Sequence, residues 1–135
     1  MNIKLLYFFT VFFSINSFSQ SVEYEKYTLN NGLDVILHKD NSSPVITTAV
    51  MYHIGAKDEN PEKTGFAHFF EHLLFEGSKN IERGQWDIYV NSNGGRYNAN
   101  TTADRTYYYV VFPSNNLELS LSREGIFTSK TIQWR

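Results

Sequence analysis

The sequence predicts an α+β fold: a mostly antiparallel sheet with helices packed on one side, forming an incomplete two-layer domain. Three observations lead there. Two pairs of strand-like segments are each joined by a turn or reversal signal, at Asn30-Asn31-Gly32 and after Arg96–Thr102. A long segment rich in β-branched residues, VITTAVMYHI, stands between those pairs. Two helical stretches then fall together in the middle of the chain, so that strands and helices are segregated rather than alternating.

Tyr24–Leu29 alternates with charged residues, and Leu33–His38 (LDVILH) is mostly apolar. With Asn30-Asn31-Gly32 between them, the two predict a β-hairpin. Lys39–Pro44 is polar loop, and Val45–Ile54 predicts a third strand. Gly55–Lys63 is loop and contains Pro61. A helix is expected from Thr64 to Phe75, stopping before Gly77, and a second from Arg83 to Asn91. Ser92-Asn93-Gly94-Gly95 reverses the chain. Arg96–Thr102 and Thr106–Phe112 predict a second hairpin, and Leu117 and Leu121 stand at helical spacing in a last short helix.

The first of these helices carries the chemistry. Thr64–Glu76 reads TGFAHFFEHLLFE, with His68, Glu71 and His72 in an H-x-x-E-H pattern. Histidines four apart on a helix project from one face, close enough to share one metal ion. At about 100° per residue, His72 lies roughly 40° and Glu71 roughly −60° from His68. Phe66, Phe69, Phe70, Leu73 and Leu74 fall between roughly 100° and 240°, the arc expected to pack on the sheet. The bare pattern also fits a solvated polar stripe on an amphipathic helix. The small residues Thr64, Gly65 and Ala67, which leave its start uncluttered, weigh toward a metal site.

Composition narrows the function further. A formal charge of −2 gives no footprint for nucleic acid or an anionic membrane surface. Met1–Lys4 is a basic start, Leu5–Phe13 (LLYFFTVFF) is almost wholly apolar, and SINSFSQ follows. This is the anatomy of a secretory signal peptide over residues 1–19, with the mature chain beginning near Gln20. Nine residues are too few for a stable membrane anchor, since a span needs about twenty. The chain has no cysteine, hence neither a disulfide nor a lipid attachment site. An exported bacterial protein, periplasmic or secreted, is expected.

Four blocks together resemble the amino-terminal half of the catalytic domain of pitrilysin/insulinase-type zinc metallopeptidases, the inverzincins. They are Asn31–Leu37 (NGLDVIL), Tyr52–Glu59 (YHIGAKDE), Thr64–Ser78 (TGFAHFFEHLLFEGS) and Gly94–Tyr109 (GGRYNANTTADRTYYY). The resemblance implies a zinc-dependent endopeptidase acting on peptides or unfolded proteins, with residues 20–135 as the amino-terminal portion of one domain. It implies Zn2+ held by His68 and His72, and Glu71 as general base. It also implies that Asn98, Ala99 and Asn100 lie on an edge strand that binds substrate backbone; a plain surface hairpin is the other reading of that segment. A second homologous domain or subunit is the implied partner. The family takes its third zinc ligand from a glutamate on a later helix, beyond Arg135; Glu76, Glu82, Glu118 and Glu124 are local substitutes that no spacing singles out. Residues 123–135 depart from the family's pattern, which suggests a truncated product. An inactive relative serving as a binding or assembly subunit is therefore the alternative function.

Overall fold

The computed structural model describes residues 21–78 and 81–121. The predicted signal peptide, the tail over 123–135 and Glu124 lie outside them. The chain divides into two compact units, at residues 1–42 and 43–135.

The first unit is the predicted hairpin. Strand β1 (Glu25–Thr28) pairs antiparallel with β2 (Asp34–Leu37), Glu25 opposite Leu37 and Thr28 opposite Asp34. The connection closes through Leu29 N–H to Leu33 O (2.9 Å) and Gly32 N–H to Leu29 O (2.9 Å). The Asn31 side chain accepts from Leu33 N–H at 3.1 Å, a local bond that makes asparagine a turn former. Asp34 accepts from Thr28 Oγ1 at 2.6 Å and lies 3.2 Å from Lys26 Nζ. That hydrogen bond, and then the lysine, hold its carboxyl below the usual range.

The second unit holds the remaining elements: β3 (Val45–Tyr52), α1 (Phe66–Leu73), α2 (Gln85–Ser92), β4 (Arg96–Thr101) and β5 (Thr106–Pro113). Single turns of 3-10 helix occupy Ala56–Asp58 and Ser114–Asn116, and residues 117–121 are helical. The sheet is antiparallel with order β3-β5-β4, so β5 is central and β4 is an edge. Alternation along β5 buries Thr106, Tyr108, Val110 and Phe112 on one face. Onto that face pack Trp86 and Val90 of α2, with Leu74 and Ile81, and this is the core. The fold is α+β with both helices on one side of the sheet, as the sequence predicts.

The burial of α1 corrects the expected arc. Phe69 is 55% and Leu73 37% exposed, and Phe66 is also exposed. The residues turned inward are Ala67, Glu71 and Leu74, with Phe70 half-buried. The buried arc is thus turned by about 100° from the one that hydrophobicity selects. Small Ala67 permits close approach to the sheet, and Glu71 enters the interior because it finds a hydrogen-bond donor there. In the last helical stretch, similarly, Leu117 and Leu121 are exposed while Ser120 is buried, its hydroxyl 2.8 Å from Thr48 Oγ1.

Between α2 and β4 the chain turns through two glycines. Gly94 adopts φ +66°, and Gly95 N–H bonds back to Val90 O at 2.9 Å, a helix ending that needs a left-handed residue. At Gly95 the constraint is space: a Cβ there would lie 2.4 Å from Phe112 Cε1 and 3.0 Å from Val90 Cγ1. Gly95→Val forces two core side chains from their positions. We expect it to destabilise the protein by about 1–3 kcal/mol, read as a lower denaturant midpoint at unchanged slope. A midpoint equal to wild type would show that Phe112 repacks freely.

Candidate metal centre

Helix α1 is anchored at its start from outside the helix. Its N-cap, Gly65, adopts φ +93°, a conformation that glycine takes without strain, and has no side chain to cap with. Glu59 supplies the missing acceptor. One carboxylate oxygen takes Gly65 N–H at 2.7 Å and the other takes Ala67 N–H at 2.6 Å. Two orphan donors are satisfied, and a negative charge sits at the positive end of the helix.

Glu59 is itself held. The preceding turn docks on the β4–β5 connection through Ala56 N–H to Thr102 O (3.0 Å) and Lys57 N–H to Ala103 O (2.8 Å). Asp58 closes the turn by accepting from Gly55 N–H at 2.9 Å. A continuous path of bonds thus runs from the end of β4 to the first turn of α1.

Both histidines are exposed, on consecutive turns, with Nε2 to Nε2 separated by 3.2 Å. Two ligand nitrogens at bond lengths of about 2.0–2.1 Å around a tetrahedral zinc lie roughly 3.3–3.4 Å apart. The pair therefore fits as two ligands of one zinc ion. Glu71, in the same turn, is only 7% exposed and points between the helix and the sheet. Thr101 Oγ1, at the end of β4, donates to its Oε2 at 2.5 Å. Burial lifts the Tyr108 hydroxyl well above the usual phenol range, and the nearby Glu71 carboxylate and Tyr52 add to the shift.

The second helix is tied to the same strand. The Tyr97 hydroxyl of β4 donates to the Asp87 carboxylate of α2. Burial, then that carboxylate, push its pKa up to about 12. Phe75, just past α1, and Trp86 of α2 stack against Tyr97 with ring centroids at 4.9 and 5.6 Å. Strand β4 therefore holds both helices.

Asn98, Ala99 and Asn100 lie on this edge strand. Asn98 and Asn100 are exposed, whereas Ala99 faces the core. Among the local glutamates, Glu76 pairs with Arg83 Nε. No group of three His, Cys, Asp or Glu able to hold a metal occurs among the described residues. Sequence reasoning passed over Thr101 and Glu59. The threonine's signal was its parity: in β4 it shares the helix-facing side with Tyr97 and Ala99. Glu59 gave none, since it stands six residues before the N-cap, outside any capping pattern.

An H-x-x-E-H helix laid on an antiparallel sheet defines the inverzincin class of site. Residues 34–124 match the family described as Insulinase (Peptidase family M16), and the chain belongs to that family. It is 38% identical to the zinc protease PqqE of Helicobacter pylori over 109 residues, which is 80% of this chain and 24% of that protein. In three dimensions it is similar to the crystal structure of a protease from Helicobacter pylori, with a TM-score of 0.71 at 38% identity over 75% of this chain and 24% of the other. It is also similar to pitrilysin, with a TM-score of 0.70 at 26% identity over 79% of this chain and 12% of the other. The chain thus spans about a quarter or less of these relatives.

The Glu59 clamp is open to direct test. Glu59→Ala should cost about 1–2 kcal/mol, as loss of a helix cap does, and speed hydrogen exchange in the first turn of α1. Exchange at Gly65 and Ala67 unchanged from wild type would show that the clamp does not fix the helix start.

Proposed function

We propose that this chain contributes to a zinc-dependent endopeptidase, with His68 and His72 as zinc ligands and Glu71 as general base. The observation that carries the proposal is the 3.2 Å separation of the two Nε2 atoms on consecutive turns of the helix that also carries a buried carboxylate. Bound zinc supplies Lewis acidity and lowers the pKa of a coordinated water. The residues of the chain do the rest. The His68 and His72 imidazoles would hold the ion. The Glu71 carboxylate accepts the water's proton and can return it to the leaving amine. The outer edge of β4 at Asn98, Ala99 and Asn100 offers backbone groups to an extended peptide, which pairs with it as an added strand. Backbone pairing reads few side chains, which suits peptides or unfolded proteins as substrates.

The remaining assignments rest on sequence. Residues 20–135 are proposed as the amino-terminal portion of one metallopeptidase domain, supported by the family match over 34–124. A third ligand from outside the described residues, and a second homologous domain or subunit to enclose the peptide, complete the proposal. The basic start and apolar run of residues 1–19 support export to the periplasm or beyond.

A second reading is an inactive relative serving as a binding or assembly subunit. One pair of variants separates the readings. Glu71→Gln should keep zinc, measured by metal analysis, yet lose at least about 100-fold in cleavage of an unstructured peptide, because the amide cannot accept a proton at neutral pH. His68→Ala should lose both zinc and cleavage. Wild-type protein that binds a peptide but cleaves no faster than Glu71→Gln would establish the second reading.

A further inference from the structure

Glu71 has two oxygens, and the structure distinguishes them. Oε2 accepts from Thr101 Oγ1 at 2.5 Å. A hydroxyl carries one proton, so this bond fixes one oxygen while leaving the acceptor capacity of the other. Thr101 is well placed to fix it. It ends β4 opposite Thr106 of β5, and Thr102, the next residue, bonds to both Arg105 and Ala56 through its backbone. A β-branched side chain on such a backbone has restricted χ1 freedom.

The register adds a second point. Alternation along β4 turns Tyr97, Ala99 and Thr101 toward the helices and exposes Asn98 and Asn100. The strand proposed to hold the peptide backbone is therefore the strand that holds the proposed base. We infer that Thr101 is a positioning residue: its hydroxyl orients the Glu71 carboxylate so that the free oxygen receives the proton of the attacking water, and β4 sets base and peptide in one rigid frame. This inference rests on the reading of Glu71 as general base. Thr101 acts through Glu71, the group its hydroxyl meets.

The test compares Thr101→Val, which keeps the shape and removes the donor, with Thr101→Ser, which keeps the donor. Zinc-loaded protein with Thr101→Val should lose about tenfold in kcat with KM within about twofold, and Thr101→Ser should restore kcat to within about threefold of wild type. A second readout needs no turnover. The carboxyl 13C resonance of Glu71, assigned by its loss in Glu71→Gln, should shift in Thr101→Val and return in Thr101→Ser. If Thr101→Val does not fold, Thr101→Cys, a weaker donor, should give an intermediate kcat and an intermediate carboxyl shift. Folded Thr101→Val or Thr101→Cys with wild-type kcat and an unmoved resonance would overturn the inference while Glu71→Gln stays inactive. Glu71→Gln cleaving as fast as wild type would instead overturn the reading beneath it. In protein without turnover the resonance alone decides.

Discussion

A carboxylate enclosed between a helix and a sheet costs several kcal/mol unless a donor meets it, and Glu71 has one in Thr101. Much of the second unit is arranged around that contact. Turning Glu71 inward, with Ala67 before it and Leu74 after it, sets the rotation of α1 about its axis. The same rotation leaves His68 and His72 on the open side, one turn apart. A helix oriented by its phenylalanines would carry the histidines round with it and bring Glu71 away from the sheet. Phe66 and Phe69 stay exposed on the other side of the helix.

The contact depends in turn on β4. This short edge strand is fixed through its pairing with β5, whose alternate residues form the centre of the core. Its end passes into a turn whose carbonyls receive Ala56 and Lys57, and that docked loop brings Glu59 to the start of α1. The strand therefore reaches the helix twice, at the first turn through Glu59 and in mid-helix through Thr101. Two separated tethers restrain both the axial position of the helix and its rotation. The proposed site, in which two histidines meet one ion within a few tenths of an ångström, needs both restraints.

Sequence reasoning recovered what depends on local pattern. The Asn30-Asn31-Gly32 turn, the β-branched run of β3 and the aromatic and aliphatic run of β5 each specify their element over a few residues, and each lies where expected. The four blocks pointed to the family, and His68 and His72 share the exposed side of α1 as their spacing requires, whereas Glu71 turns inward. The inward face of α1 was misjudged because hydrophobicity ranks Phe69 above Glu71, whereas the true choice depends on a hydroxyl thirty residues away. Thr101 and Glu59 escaped for the same reason. Their roles exist only once the β4–β5 hairpin and the preceding loop have come together. Long-range hydrogen bonds leave no periodic trace, so the scaffold was more legible than its connections to the site.

We propose that the inward turn of Glu71 leaves His68 and His72 free to hold one zinc ion. X-ray absorption at the zinc edge of the zinc-loaded protein measures this directly. One zinc per chain is expected, with multiple-scattering features from two imidazoles and nitrogen neighbours at about 2.0–2.1 Å. A shell of oxygen neighbours alone, without imidazole scattering, would contradict it.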